Sequence, residues 1–181
     1  NSCNLTETYH TGLGTGETSW APIMGNSYGK NMTGWNDGPT PYGCANTQDN
    51  LSIITSVNGF GYRTDDYQDL MNSSAYTPNT TSFSINGLIS TNIDKDVFRF
   101  SFNTLSTIHI DAMPYGVAGN NVGADLDVKI LLYSEAQVLL RTYDPSTTMG
   151  VSIDTTLKPG NYYFVLDGTG NTFATNYGSL G

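Results

Sequence analysis

Polar and apolar residues alternate in short runs through the second half of the chain, and this pattern limits the fold more than any other feature. In the run 96–102, Val97 and Arg99 fall on one face and three phenylalanines fall on the other. A side-chain period of two is that of a β-strand with one buried face. Comparable runs cover 84–89, 107–112, 126–133, 137–143, 149–153 and 160–167. Several short strands with no helical pattern between them predict an antiparallel β-sandwich.

The first 45 residues have no such pattern. Glycine and proline interrupt the stretch repeatedly, and no period of 2 or 3.6 is sustained. We expect this stretch to belong to a larger body and to pack through five large side chains, Trp20, Ile23, Met24, Tyr28 and Trp35. Residues 68–82 are polar, include Pro78, and are predicted to form a linker.

One helix is predicted, over residues 46–56. Asn46 or Thr47 can cap its N-terminus, and the Asn-Gly pair at 58–59 supplies a left-handed stop. Its apolar face would consist of Leu51, Ile54 and Val57.

The charge balance limits the partners. The net charge is −9, and only 13% of the residues are charged, about half the usual ~25%. An acidic protein repels phosphate backbones, so a nucleic-acid partner is not expected. No apolar stretch approaches the ~18 residues that indicate a membrane span.

The two cysteines indicate the compartment. Cys3 and Cys44 predict one disulfide in a secreted or extracellular protein, the cell surface included. The alternative is two buried free thiols. A zinc site is not indicated here, because neither cysteine has a second cysteine or a histidine at ligand spacing.

Four aspartates are candidate metal ligands. Asp94 and Asp96 stand at the start of one predicted strand, and Asp125 and Asp127 at the start of another. Side chains at i and i+2 of a strand point the same way, so either pair could hold an ion. If the two loops meet at one end of the sandwich, they would form a Ca²⁺ site. The alternative is that each aspartate forms its own turn.

Three motifs follow one another in the second half. They are Asp94-Lys-Asp-Val-Phe-Arg-Phe100, Asp125-Leu-Asp127 with Leu131-Leu-Tyr133, and Leu157-Lys-Pro-Gly-Asn-Tyr-Tyr-Phe-Val-Leu-Asp-Gly168. In this order they resemble the bacterial pre-peptidase C-terminal domain, an accessory module of many secreted peptidases. The resemblance covers residues 83–181 and implies a jelly-roll-like β-sandwich. Because that family closes with one more strand, we expect the chain to be truncated at Gly181.

The first half carries a second resemblance. Its segments are Ser19-Trp-Ala-Pro-Ile-Met-Gly25, Trp35, the predicted helix, and Gly61-Tyr-Arg-Thr-Asp-Asp66. They resemble the C-terminal end of a metzincin-type zinc peptidase catalytic domain, which implies that residues 1–67 are the end of such a domain. In that class a tight turn places a methionine beneath the catalytic metal, and Met24 matches that position. The alternative is that Met24 is an ordinary core methionine.

The zinc-binding motif of that class is absent. Metzincins hold Zn²⁺ through H-E-x-x-H-x-x-G-x-x-H, in which the glutamate is the general base. This chain has only His10 and His109, far apart in sequence. We therefore expect no peptidase activity from the chain as given, and Zn²⁺ only in a longer parent protein.

Two functions follow. In the first, the chain is the C-terminal part of a secreted zinc metallopeptidase, whose sandwich acts in secretion, stability or substrate targeting. Its partners would be the upstream catalytic domain and a protein or polysaccharide substrate. In the alternative, the chain is a stand-alone extracellular module that binds carbohydrate or protein.

Overall fold

The computed structural model describes residues 8–35, 37–39 and 47–169 and shows a mainly β protein, as predicted. The strands are β1 (Trp20–Pro22), β2 (Met32–Gly34), β3 (Asp37–Pro39), β4 (Thr47–Asp49), β5 (Lys95–Phe102), β6 (Ser106–Ala112), β7 (Val128–Ser134), β8 (Leu139–Tyr143), β9 (Val151–Leu157) and β10 (Gly160–Gly168). The helical residues are α1 (Asn50–Ser52) and a π-helical turn (Ile53–Val57).

Two antiparallel sheets form the sandwich. The larger has the order β5-β10-β7-β8, and the smaller pairs β6 with β9. Their facing sides share one core, whose buried members are Val128, Ile130, Leu132, Val151, Ile153, Leu157 and Phe164. A jelly roll has eight strands, and six of the described strands make up this sandwich, so the jelly-roll connectivity stays a prediction.

The alternation predicted for β5 is confirmed, and both of its faces are covered. Phe100 and Phe102 pack on the core between the sheets, whereas Val97 packs on the opposite side of the large sheet. Residues 68–76 run along the edge of β5, where the N–H of Val97 donates to the carbonyl of Gln68 at 3.2 Å and that of Arg99 to the carbonyl of Tyr76 at 2.8 Å. Met71 and Ala75 of this segment pack with Val97 on that opposite side. The first part of the predicted linker therefore lies along the sheet.

Two strand predictions need correction. No strand forms at 84–89, because the backbone there bonds to side chains of residues 66 and 67 and not to a neighbouring strand. The run predicted at 149–153 continues to Leu157 as β9, with alternate residues buried and exposed along its whole length.

The helix prediction was too long and placed the cap too early. Residues 47–49 form β4, and the N-cap is Asp49, whose carboxylate accepts the N–H of Ser52 at 2.7 Å. The π-helical turn then widens the helix, with the N–H of Asn58 donating to the carbonyl of Ile53 at 3.1 Å. A wider turn breaks the 3.6-residue periodicity, so Val57 is exposed and does not share the buried face of Leu51.

The turn-rich first half docks on the sandwich. β1 and β2 form a parallel pair, and β3 and β4 an antiparallel one. Trp20 and Met32 enter one buried cluster with Ala124 and Met149. The other four side chains expected to pack this half are exposed, from 36% for Trp35 and 48% for Ile23 to 80% for Met24 and 95% for Tyr28.

Polar contacts secure the same docking surface. One carboxylate oxygen of Glu17 accepts the N–H of Met149 at 2.6 Å and the side-chain amide of Asn121 at 2.7 Å. The side-chain amide of Asn31 donates to the carbonyl of Asn121 at 3.1 Å, and its oxygen accepts the N–H of Gly123 at 3.0 Å. These bonds hold the first half against the loop that precedes β7.

In the described part of the chain, no helix is long and apolar enough to cross a membrane. Cys3 and Cys44, and with them the predicted disulfide, lie outside the described residues.

Candidate metal centre

Five carboxylates come together where the first half of the chain meets β5. Asp65, Asp69 and Asp94 place one oxygen each within 4.8 Å of one another, and so do Asp65, Asp66 and Asp96. Because Asp65 belongs to both triads, the two are joined into one acidic cluster, the name used below for these five residues.

Backbone hydrogen bonds fix the two aspartates at the start of β5. Asp94 ends a turn in which its N–H donates to the carbonyl of Thr91 at 3.2 Å, and its Oδ2 accepts the N–H of Ser90 at 2.5 Å. The next N–H, that of Lys95, donates to Oδ1 of Asp69 at 2.9 Å. The start of the strand and the segment 65–69 are thus held together through a carboxylate of the cluster.

Residues 86–88 also contact the acidic cluster, besides the start of β5 and the segment 65–69. The N–H of Leu88 donates to Oδ1 of Asp66 at 3.2 Å, and the hydroxyl of Tyr67 donates to the carbonyl of Asn86 at 3.3 Å. Gly87 packs closely on the cluster, since a Cβ at this position would lie 2.7 Å from Oδ2 of Asp96. A side chain at this position would therefore force the carboxylate of Asp96 to move.

Two of the five carboxylates are buried. Asp94 is 5% exposed and Asp96 is 1% exposed, while Asp65, Asp66 and Asp69 face solvent. Oδ1 of Asp94 and Oδ1 of Asp96 find no hydrogen-bond partner among the described residues. A buried carboxylate oxygen without a partner is costly, and protein structures usually compensate such a group with a cation or a donor.

The electrostatics of the cluster favour a cation. Burial, and after it the carboxylates of Asp66, Asp94, Asp65 and Asp69 in that order, together raise the pKa of Asp96 to about 8. The pKa of Asp65 is also raised, by desolvation and then by Asp94. None of the five forms an ion pair with a lysine or arginine within the described ranges.

An all-oxygen donor set of this kind suits a hard divalent cation. Ca²⁺ takes 6–8 oxygen ligands, from mono- or bidentate carboxylates, carbonyls and water. Each triad can supply three carboxylate ligands and leaves the remaining positions to carbonyls or water. The residues of the acidic cluster could therefore hold a divalent cation.

The predicted ligand set is brought together only in part. Asp94 and Asp96 lie in the acidic cluster, but Asp125 and Asp127 belong to neither triad. Oδ1 of Asp125 instead accepts the N–H of Thr33 at 2.9 Å, at the contact with the first half. The arrangement in which the two Asp-x-Asp loops meet in one ion site is therefore not observed among the described residues.

Asp127 is buried in a different environment. Burial, and after it Asp144 and Glu17, raise its pKa to about 7 against the opposing effect of Lys129. Its Oδ1 has no hydrogen-bond partner in the described structure. Asp127 therefore takes up a proton more readily than an exposed aspartate does.

Sequence reasoning missed Asp65, Asp66 and Asp69. A signal was present, since three aspartates fall within the five residues 65–69. Nothing in the local pattern shows, however, that this run folds back onto the start of β5. That contact depends on long-range packing of the segment against the edge of the sheet.

Met24 lies at the tip of a turn. The N–H of Gly25 donates to the carbonyl of Pro22 at 2.7 Å, which closes the turn and leaves Met24 80% exposed.

No protein-family model, curated protein or solved structure matches this chain significantly. The family resemblances therefore rest on the sequence motifs alone.

A cavity of about 920 Å³ opens between the sheets beside the acidic cluster. The segments 83–89 and 110–117 form two of its walls, and Phe98, Phe100 and Phe164 line its interior. Asp96 also reaches this cavity, so the cluster and the cavity share a side chain.

Proposed function

We propose that this chain is the C-terminal part of a secreted zinc metallopeptidase, without activity of its own, and that its sandwich is a calcium-stabilised accessory module. The observation that carries the proposal is the exposed turn at 22–25, which presents Met24 to solvent on a segment otherwise anchored to the sandwich. A Met-turn requires its methionine to meet a metal site from another part of the protein. An exposed methionine on a fixed turn is compatible with that role.

The exposure of neighbouring side chains supports the same proposal. Ile23, Tyr28 and Trp35 of the same segment are also exposed, and Tyr28 is 95% exposed. Large apolar side chains exposed together in one segment are compatible with a contact site. In the proposed parent protein, the upstream catalytic domain covers these side chains and contributes the histidines and glutamate of the zinc site.

The acidic cluster gives the sandwich its role. Asp65, Asp66 and Asp69 lie on the segment that leads from the first half, and Asp94 and Asp96 lie at the start of the sandwich. A calcium ion bound by both groups would join the end of the catalytic domain to the accessory module. Extracellular calcium would then stabilise the junction between them.

The test compares this chain with a longer protein extended upstream in its reading frame. We expect only the longer protein to bind Zn²⁺ tightly and to cleave casein, and a chelator of zinc to abolish the cleavage. Substitution Met24→Ala in the longer protein should lower cleavage, whereas Tyr9→Ala, on an exposed aromatic residue outside the turn, should not. An upstream frame without H-E-x-x-H, or an inert longer protein, would refute the peptidase assignment.

The cavity favours the alternative function, a stand-alone binding module. Aromatic walls and two exposed aromatic side chains in the lining, Phe83 and Tyr115, are suited to a carbohydrate or peptide ligand. In this alternative the chain alone binds a polysaccharide or protein, and Tyr115→Ala weakens binding while Tyr28→Ala does not. Binding that persists in the chain alone, together with an inert longer protein, would favour this function over the peptidase.

A further inference from the structure

The outer face of the β6–β9 pair carries a histidine between two carboxylates. His109 lies directly opposite Asp154 in the register of the two strands. Asp111 lies two residues further along β6 and so points to the same face. All three side chains are exposed, in contrast to the buried Asp94 and Asp96 of the acidic cluster.

Both ring nitrogens of His109 meet carboxylate oxygens. Nδ1 is 2.9 Å from Oδ1 of Asp154, and Nε2 is 3.0 Å from Oδ2 of Asp111. A neutral imidazole has one N–H and one lone pair, so one of these contacts would set a lone pair against a carboxylate. The geometry therefore requires a cation on at least one side of the ring, either a second proton or a metal ion.

The surroundings hold this arrangement in place. Hydrogen bonds from His109 to Asp154 and then to Asp111 raise the pKa of the imidazole, and the two negative charges add to the shift. A hydrogen bond from Ser152, and then the one from His109, lower the pKa of Asp111. Asp111 is thus anchored from the neighbouring strand, while Asp154 is the more exposed of the two carboxylates.

We propose that His109, Asp111 and Asp154 form a surface site for a divalent transition-metal ion of the Zn²⁺ type. Nδ1 of His109 and the carboxylate of Asp154 ligate the ion. The opposite N–H of the ring donates to Asp111, the arrangement by which carboxylates orient metal-binding histidines. The remaining coordination positions are open to water or to a donor from another molecule.

The ligand chemistry separates this site from the acidic cluster. Imidazole nitrogen is a ligand for Zn²⁺, Cu²⁺ and Ni²⁺, whereas Ca²⁺ is held by oxygen alone. A proton competes with the ion for the imidazole, so the affinity for zinc should increase as the pH rises. The three charged groups on this face are His109, Asp111 and Asp154, and they account for this pH dependence.

The chain contains only two histidines, which makes the site easy to observe. We would titrate ZnCl₂ into the full chain in excess Ca²⁺ at pH 8 and follow the imidazole signals by NMR, with calorimetry for affinity. The signals of His109 should shift or broaden, while those of His10, whose Nδ1 accepts the N–H of Gly12 at 2.9 Å, should stay in place. His109→Gln should abolish the response, and Asp111→Asn should weaken zinc binding by about 10- to 100-fold.

Two matched variants separate the site from other zinc-binding groups. His10→Gln and Asp96→Asn should leave the affinity of the surface site unchanged. Unperturbed signals of His109 at millimolar zinc would overturn the proposal and leave a protonated ion pair in its place. Equal zinc affinity of the His109→Gln variant and the unsubstituted chain would overturn it as well, because the ion would then be bound elsewhere.

Discussion

Asp94 and Asp96 decide how the acidic cluster behaves, because their buried oxygens lack partners that the exposed aspartates could obtain from water. If calcium binds the folded chain but not the unfolded chain, it raises the free energy of unfolding by about 2.7 kcal/mol when its concentration is 100 times the Kd. We predict that Asp94→Asn or Asp96→Asn lowers calcium affinity by roughly tenfold or more, since affinity follows the number of ligand charges. Thermal unfolding with and without Ca²⁺ measures this effect.

The control for that prediction is Asp125→Asn. It makes the same chemical change, and the new side chain can still accept the N–H of Thr33. Calcium should stabilise this variant as much as the unsubstituted chain. An equal loss in all three variants would mean that the ion is held by the four aspartates named from the sequence and not by the acidic cluster.

The raised pKa of Asp96 predicts how stability depends on pH in the absence of calcium. The folded chain holds a proton on Asp96 up to about pH 8, whereas the unfolded chain loses it near pH 4. The free energy of unfolding should therefore fall as the pH rises from 4 to 8, by up to about 1.4 kcal/mol per pH unit for this group. Asp127 acts in the same direction up to about pH 7.

Urea unfolding in EDTA at several pH values tests this prediction. Asp96→Asn should flatten the pH dependence, because an amide does not titrate. Saturating Ca²⁺ should also flatten it, since the bound ion keeps the carboxylate ionised. A stability that rises with pH in EDTA would contradict the pKa assigned to Asp96.

At the scale of the elements, the local pattern predicted the strands whose runs are clearly bounded. β5 follows its predicted run because polar and apolar residues alternate from Phe98 to Phe102. β10 follows its run because five consecutive aromatic or apolar residues, 162–166, lie between Gly160 and Gly168. Residues 84–89 have a similar composition but pair with the side chains of Asp66 and Tyr67. The helix was predicted to start too early because residues 47–49 pair with β3 as strand β4. The local sequence does not reveal this partner.

Only two of the five residues of the acidic cluster could be predicted, for the same reason. Asp94 and Asp96 were found because they mark the start of a strand, and strand starts are visible in the sequence. Their partners lie 25 or more residues earlier, at Asp65, Asp66 and Asp69, and reach them through the packing of residues 68–76 on β5. Periodicity carries no information on such a contact, so Asp125 and Asp127 were chosen in their place.

At the scale of the whole molecule, the two halves behave as one body because they share a buried cluster and a set of buried hydrogen bonds. Trp20 and Met32 come from the first half, and Ala124 and Met149 from the sandwich. The peptidase proposal requires this union, since a fixed turn at Met24 is useful only if the segment that bears it does not move freely. Loosening the contact should therefore be visible in stability.

Glu17 is the residue to change. Its carboxylate accepts the N–H of the fully buried Met149 at 2.6 Å and the amide of Asn121 at 2.7 Å. Glu17→Ala leaves this N–H unpaired, and we predict a loss of about 1–3 kcal/mol in the free energy of unfolding. Glu17→Gln keeps an acceptor oxygen and should lose less, although it gives up the stronger hydrogen bonds of a charged group.

The matched control is Glu135→Ala, which lies just after β7, whereas the first half contacts the loop before β7. Glu135 is exposed and lies 3.7 Å from Arg99, a surface ion pair worth about 0–1 kcal/mol. In urea unfolding, the free energy of unfolding of Glu17→Ala should be well below that of Glu17→Gln and Glu135→Ala. Limited proteolysis should cut Glu17→Ala faster than the other two variants within residues 8–35. If Glu17→Ala and Glu135→Ala unfold alike, then Glu17 does not hold the first half to the sandwich, and the turn at Met24 is fixed by the apolar cluster alone.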